Sequence, residues 1–122
     1  MKNSNGARRV VVTGMGVVTP IGHNVQDFWA SLKRGQCGVS PLEGFPLEDL
    51  KILIAAQIKD FDPRVRLKHA KRDKIIMHAD RYSWFAAAAA DEAVRQSGLE
   101  FPLENPYRAA CIIGSGAGGL TT

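Results

Sequence analysis

Apolar residues recur at helical spacing directly after residue 24. The residues of this stripe are Val25, Phe28, Trp29 and Leu32. Their i, i+3, i+4, i+7 spacing is that of an amphipathic helix with one face against a core. Asn24 can cap the first turn with its side-chain oxygen, and Gly35 can take the left-handed conformation that ends a helix. The pattern therefore predicts a helix between these two residues.

A second and longer helix is predicted from Asp80 to Ser97. Its most regular feature is the run of five alanines at 86–90, which has a high intrinsic helix propensity. The small side chains would let this helix approach a sheet or another helix closely. Gly98 followed by Leu99 is typical of a helix that ends in a left-handed glycine with a trailing apolar residue. One face of the helix would carry Tyr82, Phe85, Ala86, Ala89 and Ala93.

Two continuous apolar runs lack the alternation of a half-exposed strand. Residues 10–13 are mostly β-branched and stop at Gly14, and residues 109–113 run into a glycine-rich turn. Such runs are typical of strands buried on both faces, as in a parallel sheet. Residues 52–58 predict a further strand. Because buried strands need neighbours on both edges and layers on both faces, we expect the chain to be the front part of a larger α/β unit.

Composition fits a globular protein and excludes several classes of function. The chain has 122 residues, of which 45% are apolar and 23% are charged. Its formal net charge of +4 is too small and too dispersed to argue for DNA binding. No apolar run reaches the length of a membrane span, and the polar start lacks the apolar stretch of a signal peptide. We interpret residues 1–8 as a polar tail and residues 9–122 as one incomplete domain.

The sharpest local motif is the glycine cluster at 114–119. Gly114, Gly116 and Gly119 follow a predicted strand at the G-x-G-x-x-G spacing of dinucleotide-binding loops, in which backbone amides hold a pyrophosphate. That motif usually follows the first strand of its domain, whereas here about a hundred residues precede it. The glycines can instead permit close packing and leave space beside a cavity. A nucleotide-binding α/β module therefore stays open as an alternative to a glycine-lined pocket.

Neither the cysteines nor the histidines form a catalytic or metal-binding pattern. Cys111 lies among apolar neighbours of a predicted strand, which predicts a buried and inert thiol, and Cys37 lies in a loop. His23 and His69 are most simply surface residues, and with His78 they show no ligand spacing such as H-E-x-x-H. We predict no catalytic residue, no metal and no cofactor in this chain. Two thiols without a disulfide framework favour the reducing cytoplasm.

Basic residues are concentrated between residues 64 and 74. They are Arg64, Arg66, Lys68, Lys71, Arg72 and Lys74. A run of this kind most often forms a solvated face of the protein. The alternative interpretation is a docking surface for an acidic partner.

Four blocks of this sequence stand in an order that is typical of one enzyme family. They are the strand and loop at 9–22, the helix and glycine-rich exit at 28–39, the alanine-rich helix at 80–99, and the strand and glycine loop at 109–119. In order and spacing they resemble the N-terminal part of the type II β-ketoacyl-acyl carrier protein synthases. The resemblance covers nearly all of residues 9–120.

The resemblance implies a thiolase-like fold, in which two duplicated α/β halves form a layered α-β-α-β-α sandwich; this chain would supply part of the first half. It implies a homodimer that elongates fatty acids by decarboxylative Claisen condensation of an acyl thioester with malonyl-acyl carrier protein. The family's catalytic cysteine and histidines belong to later parts of its chain, so none is carried over and the 122 residues alone are expected to be inactive. A non-catalytic synthase paralogue, which only shapes a partner's pocket, is a further interpretation.

Two segments gain a role from the resemblance. Gly116, Ala117 and Gly118 would border the acyl pocket, and alanine in place of a bulkier aliphatic side chain would leave room for longer acyl chains. The basic residues between 64 and 74 would bind the acidic acyl carrier protein. This stretch departs from the family's pattern, because residues 75–77 (Ile, Ile and Met) stand close to where the family often has basic residues.

Overall fold

Helices make up most of the regular secondary structure in the described part of the chain. The computed structural model describes residue 6, residues 9–68 and residues 71–118. In chain order the elements are α1 (Val25–Lys33), β1 (Ser40–Pro41), β2 (Ile54–Ala55), α2 (Pro63–Arg66), α3 (Arg72–His78), α4 (Arg81–Ser97) and a 3₁₀ turn (Pro106–Arg108). β1 and β2 pair antiparallel, with Ser40 opposite Ala55 and Pro41 opposite Ile54. Across these residues, no helix is long and apolar enough to cross a membrane.

Both ends of α1 lie where the sequence predicts them. The side-chain Oδ1 of Asn24 accepts a hydrogen bond from the backbone N–H of Asp27 at 2.8 Å. Asp27 places a negative charge in the first turn and Lys33 places a positive charge in the last turn, which suits the helix dipole. Gly35 has a φ of +67°, in the left-handed region. The predicted helix and its capping residues are confirmed.

The first part of the chain packs directly on the backbone of α4. A methyl group at Gly14 would overlap the carbonyl oxygen of Ala93, and one at Gly16 would overlap that of Ala89. Only glycine at 14 and 16 permits this approach, because the atoms that a side chain there would meet belong to the backbone of α4. The helix ends at Gly98, which has a φ of +72°. The predicted extent of this helix is confirmed. Its close approach is to the segment at 14–16, which is neither the sheet nor the helix that the sequence predicts as its neighbour.

Side-chain oxygens on α4 hold the same segment by hydrogen bonds. The carboxylate of Glu92 accepts from the backbone N–H of Val17 at 3.2 Å and from that of Val25 at 3.0 Å. Gln96 Oε1 accepts from the N–H of Met15 at 2.5 Å. Val25 is the first residue of α1, so its N–H has no acceptor within its own helix. One carboxylate thus joins the start of α1 and the glycine-containing segment to α4.

Residues 10–13 and 109–113 do not form the buried strands that their apolar runs predict. Val10 is 90% exposed and Ile112 is 93% exposed. The described chain has no strand at either position, so the strand prediction is wrong for this chain. Burial is expected within a larger α/β unit, and it stays a prediction because no segment within 9–68 and 71–118 pairs with these residues or covers them. The strand predicted at 52–58 is present only as the two residues of β2.

The elements between β2 and α4 form a small helical cluster. Asp62 caps α2, since its Oδ1 accepts from the N–H of Arg64 at 2.8 Å, and Pro63 stands in the first turn, where its missing N–H costs nothing. Leu67, directly after α2, is only 1% exposed. The helices α2, α3 and α4 contact one another pairwise. α3 is not among the elements that the sequence predicts.

Candidate functional site

The glycine loop at 114–118 is held at one end and open along the rest. The Ser115 Oγ accepts a hydrogen bond from the N–H of Gly118 at 3.2 Å, which closes the loop. Apart from the adjoining residues, no atom of the described chain lies within 4 Å of the place where a Cβ would stand at Gly114 or Gly116. At Gly118, by contrast, a Cβ would lie 2.7 Å from the ring of Tyr82.

The loop lies beside the first turn of α4, where an aromatic cluster begins. Tyr82 is the second residue of that helix, and Phe85 follows on it one turn later. The Phe85 ring meets the edge of Phe61 at 4.9 Å between centroids, and Phe61 meets the ring of His23 at 5.5 Å. The surface position predicted for His23 is wrong, because Phe61 packs against it and leaves it half-buried. No sequence spacing points to this cluster, since its members come from three separate segments.

The nucleotide-binding interpretation depends on residues at the end of the loop. A dinucleotide loop binds its pyrophosphate through the N–H groups at the start of the helix that follows it. Gly119, the third glycine of the motif, and the residues after it lie outside the described residues, so this interpretation stays a prediction.

Both thiols lie at the surface of the described chain. Cys37 is exposed in its loop. Cys111 is exposed as well, so the prediction of a buried thiol is wrong; that prediction depended on a covered strand at 109–113. His78 is exposed at the end of α3, and His69 lies outside the described residues. In the part of the chain that the structure describes, no group of His, Cys, Asp or Glu side chains converges as a metal site.

The basic run is divided among α2, α3 and the segment between them. Its exposed members are Arg64, Lys68, Lys71, Arg72 and Lys74. Arg66 differs from these, because it is half-buried and its Nη2 donates to the carbonyl oxygen of His23. Arg72 lies 3.6 Å from a carboxylate oxygen of Asp73, and both side chains are largely exposed. The run therefore presents positive charge at five positions, while Arg66 joins α2 to the turn before α1.

A family model matches almost the whole chain. The match covers residues 7–122, and the model describes the N-terminal domain of β-ketoacyl synthases. This chain belongs to the β-ketoacyl synthase family. Every described helix and strand of this synthase segment, and the glycine loop, falls within the match. The resemblance seen in the sequence blocks is confirmed.

Curated relatives are similar over nearly the same residues. A putative polyketide β-ketoacyl synthase 1 of Streptomyces cyaneus is 46% identical over 114 residues, and a 3-oxoacyl-[acyl-carrier-protein] synthase 2 of Coxiella burnetii is 42% identical over 113 residues. Each alignment covers 93% of this chain and 26% of the relative. The synthase segment thus spans about a quarter of the length of the curated relatives it matches.

A solved structure shares the fold. The ishigamide ketosynthase/chain length factor superposes with a TM-score of 0.63 at 35% sequence identity, over 76% of this chain and 22% of that one. The predicted α/β class, as part of the first half of a thiolase-like layered sandwich, is confirmed by this likeness and by the family match.

Proposed function

We propose that this chain is the N-terminal part of a β-ketoacyl-acyl carrier protein synthase that elongates fatty acyl chains. The family match over residues 7–122 carries the proposal, and the Coxiella burnetii relative supports it. In the reaction, malonyl-carrier protein loses carbon dioxide, and the resulting carbanion attacks an acyl thioester. A carbon–carbon bond forms while the thioester C–S bond breaks, and the thiolate leaves.

In this proposal residues 9–122 are an incomplete N-terminal domain and residues 1–8 a polar tail. The nucleophilic thiol and the groups that assist decarboxylation come from outside these 122 residues. The complete protein works as a homodimer in the cytoplasm, with acyl carrier protein as its partner.

In the decisive experiment, the complete protein receives two substrates: a carrier protein loaded with an acyl group, and malonyl-carrier protein. We expect release of carbon dioxide and one β-ketoacyl product, and we expect neither from the 122-residue chain alone. A reaction with malonyl-carrier protein but without the acyl-loaded carrier is the control for decarboxylation that is not coupled to condensation. A complete protein that gives no product, as a non-catalytic paralogue would, contradicts the proposal, and so does condensation by the 122 residues alone.

The carrier protein is proposed to dock on the exposed part of the basic run. The exposed cations at 64, 68, 71, 72 and 74 support this, because an acidic partner is attracted to such a surface. Half-buried Ile75 and Ile76 then lie beside the charged surface rather than within it. The double reversal Lys71→Glu, Arg72→Glu is expected to weaken carrier binding about tenfold at low salt, and less as salt rises.

The matched control reverses two exposed cations outside the run, Lys51→Glu and Arg108→Glu, and changes the net charge by the same amount. Equal weakening by both pairs would mean that only overall charge matters. Unchanged binding in the Lys71 and Arg72 variant would remove the docking role.

The loop at Gly116, Ala117 and Gly118 is proposed to border the acyl pocket. Alanine offers less bulk than the aliphatic side chains that the family often places there, so the pocket is proposed to accept longer acyl chains. In the complete enzyme, Ala117→Ile should shorten the longest primer that is extended. The same chain-length cutoff with isoleucine as with alanine would contradict this role.

A second candidate is condensation within polyketide assembly. It is favoured by the 46% identity to the relative named as a polyketide synthase. Polyketide assembly keeps the β-keto group and condenses again, whereas fatty acid elongation requires reduction between rounds. With malonyl-carrier protein in excess and no reductase, a product with several keto groups favours the polyketide role, and a single condensation favours the first proposal.

A further inference from the structure

The ring of Tyr82 fills the space beside the glycine loop that a side chain at Gly118 would need. A Cβ at Gly118 would lie 2.7 Å from Cε2 and 2.8 Å from Cδ2 of the ring, and 2.8 Å from the Oγ of Ser115 within the loop itself. Real Cβ atoms do not approach other heavy atoms so closely. Position 118 must therefore be glycine as long as the tyrosine ring keeps its place.

This contact distinguishes Gly118 from the other described glycines of the loop. Gly114 and Gly116 have open space around their Cα atoms, and residues 114–118 are all exposed. The hydrogen bond from the Gly118 N–H to Ser115 is local to the loop, so it shapes the loop without fixing its position. Tyr82 provides a contact from a different element.

The element that carries Tyr82 is well suited to hold a loop in place. α4 is fixed by backbone contact with Gly14 and Gly16 and by the hydrogen bonds that Glu92 accepts. A side chain on a fixed helix positions a neighbouring group more precisely than a side chain on a loop. Ala117 precedes Gly118 directly, so a displacement of Gly118 also redirects the side chain of Ala117.

We propose that Tyr82 is a positioning residue that sets where the glycine loop stands and thereby contributes to the choice of acyl chain length. The proposal rests on the proposed function, because it takes the loop as the border of the acyl pocket. Tyr82 acts through the loop and not on the reacting atoms. The contact is made by ring carbons, so the hydroxyl group is dispensable.

The test compares variants of the complete synthase by the ratio of kcat/KM for a long and a short acyl primer. Tyr82→Ala is expected to change this ratio by about three- to tenfold. This is at or below the smallest discrimination that pockets show between substrates differing by one methylene group. Tyr82→Phe retains the ring and should leave the ratio unchanged. Tyr107→Ala removes a tyrosine that is 98% exposed and is the matched control.

Gly118→Ala tests the same contact from the other side. Alone it must displace the ring or the loop, so it should alter the ratio as Tyr82→Ala does. Combined with Tyr82→Ala it no longer meets the ring and meets only the Ser115 hydroxyl, which Ser115→Ala removes. The triple variant with Ser115→Ala should therefore be no worse than the double variant Tyr82→Ala, Ser115→Ala. If Tyr82→Ala fails to fold, Gly118→Ala alone still tests whether the contact between ring and loop affects the choice of primer.

An unchanged ratio in an active Tyr82→Ala or Gly118→Ala enzyme would overturn the inference. An equal loss of kcat/KM for all primers would overturn it as well, because that is the result of a merely structural role. If the unsubstituted complete protein forms no β-ketoacyl product, the proposed function itself fails. If the complete protein forms product but the variants leave the ratio of kcat/KM for long and short primers unchanged, the proposed function stands and the role of Tyr82 is rejected.

Discussion

Glu92 makes the contact whose loss should be most informative about this fold. Its carboxylate accepts hydrogen bonds from the N–H groups of Val17 and Val25, and all three groups are partly buried. A hydrogen bond to a charged group contributes about 1.5–3 kcal/mol, and truncation leaves its partner without an acceptor. At the start of α1 water can replace part of the lost contact. Glu92→Ala is therefore expected to lower the free energy of unfolding by about 2–3 kcal/mol.

A loss of this size is large for a domain that is stable by about 5–15 kcal/mol, and it raises the unfolded population about 30- to 150-fold. Urea unfolding of the complete protein, followed by intrinsic fluorescence, measures this loss. Within this segment Trp29 lies on α1 and Trp84 on α4, the two helices that Glu92 joins. Glu104→Ala, at an exposed loop position, is the control. If the two variants unfold at the same urea concentration, the carboxylate does not hold α1 to α4 and the reasoning is refuted.

Three further outcomes follow from the packing. Gly16→Ala should lower the free energy of unfolding by about 1–3 kcal/mol in the same assay, because its methyl group meets the Ala89 carbonyl oxygen. Gly116→Ala, in open space, should stay within about 0.5 kcal/mol of wild type. Equal losses in the two variants would contradict the contact at Gly16. Asn24→Ala removes the side chain that caps α1 and should lower the free energy of unfolding by about 1 kcal/mol, measured by circular dichroism. Gln26→Ala on the same helix is the control, and equal stability of the two variants would argue against the cap. The isolated chain should self-associate in sedimentation experiments through its exposed apolar segments at 10–13 and 109–113, and a monomer with a sharp reversible melt would count against this.

The helices that the sequence predicts well are those whose ends depend on local contacts. Asn24 contacts the N–H only three residues away, and Gly35 and Gly98 adopt left-handed conformations that need no distant partner. The strands are different. Whether residues 10–13 are buried depends on segments that must pair with them and cover them, and no local pattern contains that information.

Long-range contacts explain what the sequence does not reveal about the candidate site. The glycine loop stands out by composition, but its contact with Tyr82 joins residues more than thirty positions apart. Arg66 is indistinguishable by sequence from its basic neighbours, yet in the fold it donates to the His23 carbonyl. Cys111 resembles a core thiol because its neighbours are apolar, and its exposure depends on layers that lie elsewhere.

The contact between Gly14, Gly16 and the backbone of α4 has a consequence for which substitutions this segment can accept. The atoms opposite the two glycines are backbone atoms of Ala89 and Ala93, so no smaller side chain on α4 can make room for a larger residue at 14 or 16. A pair of substitutions in which a larger residue on one side is compensated by a smaller residue on the other is therefore not possible at this contact. The distance between helix and segment is therefore a fixed dimension of the molecule, and substitutions elsewhere must adapt to it.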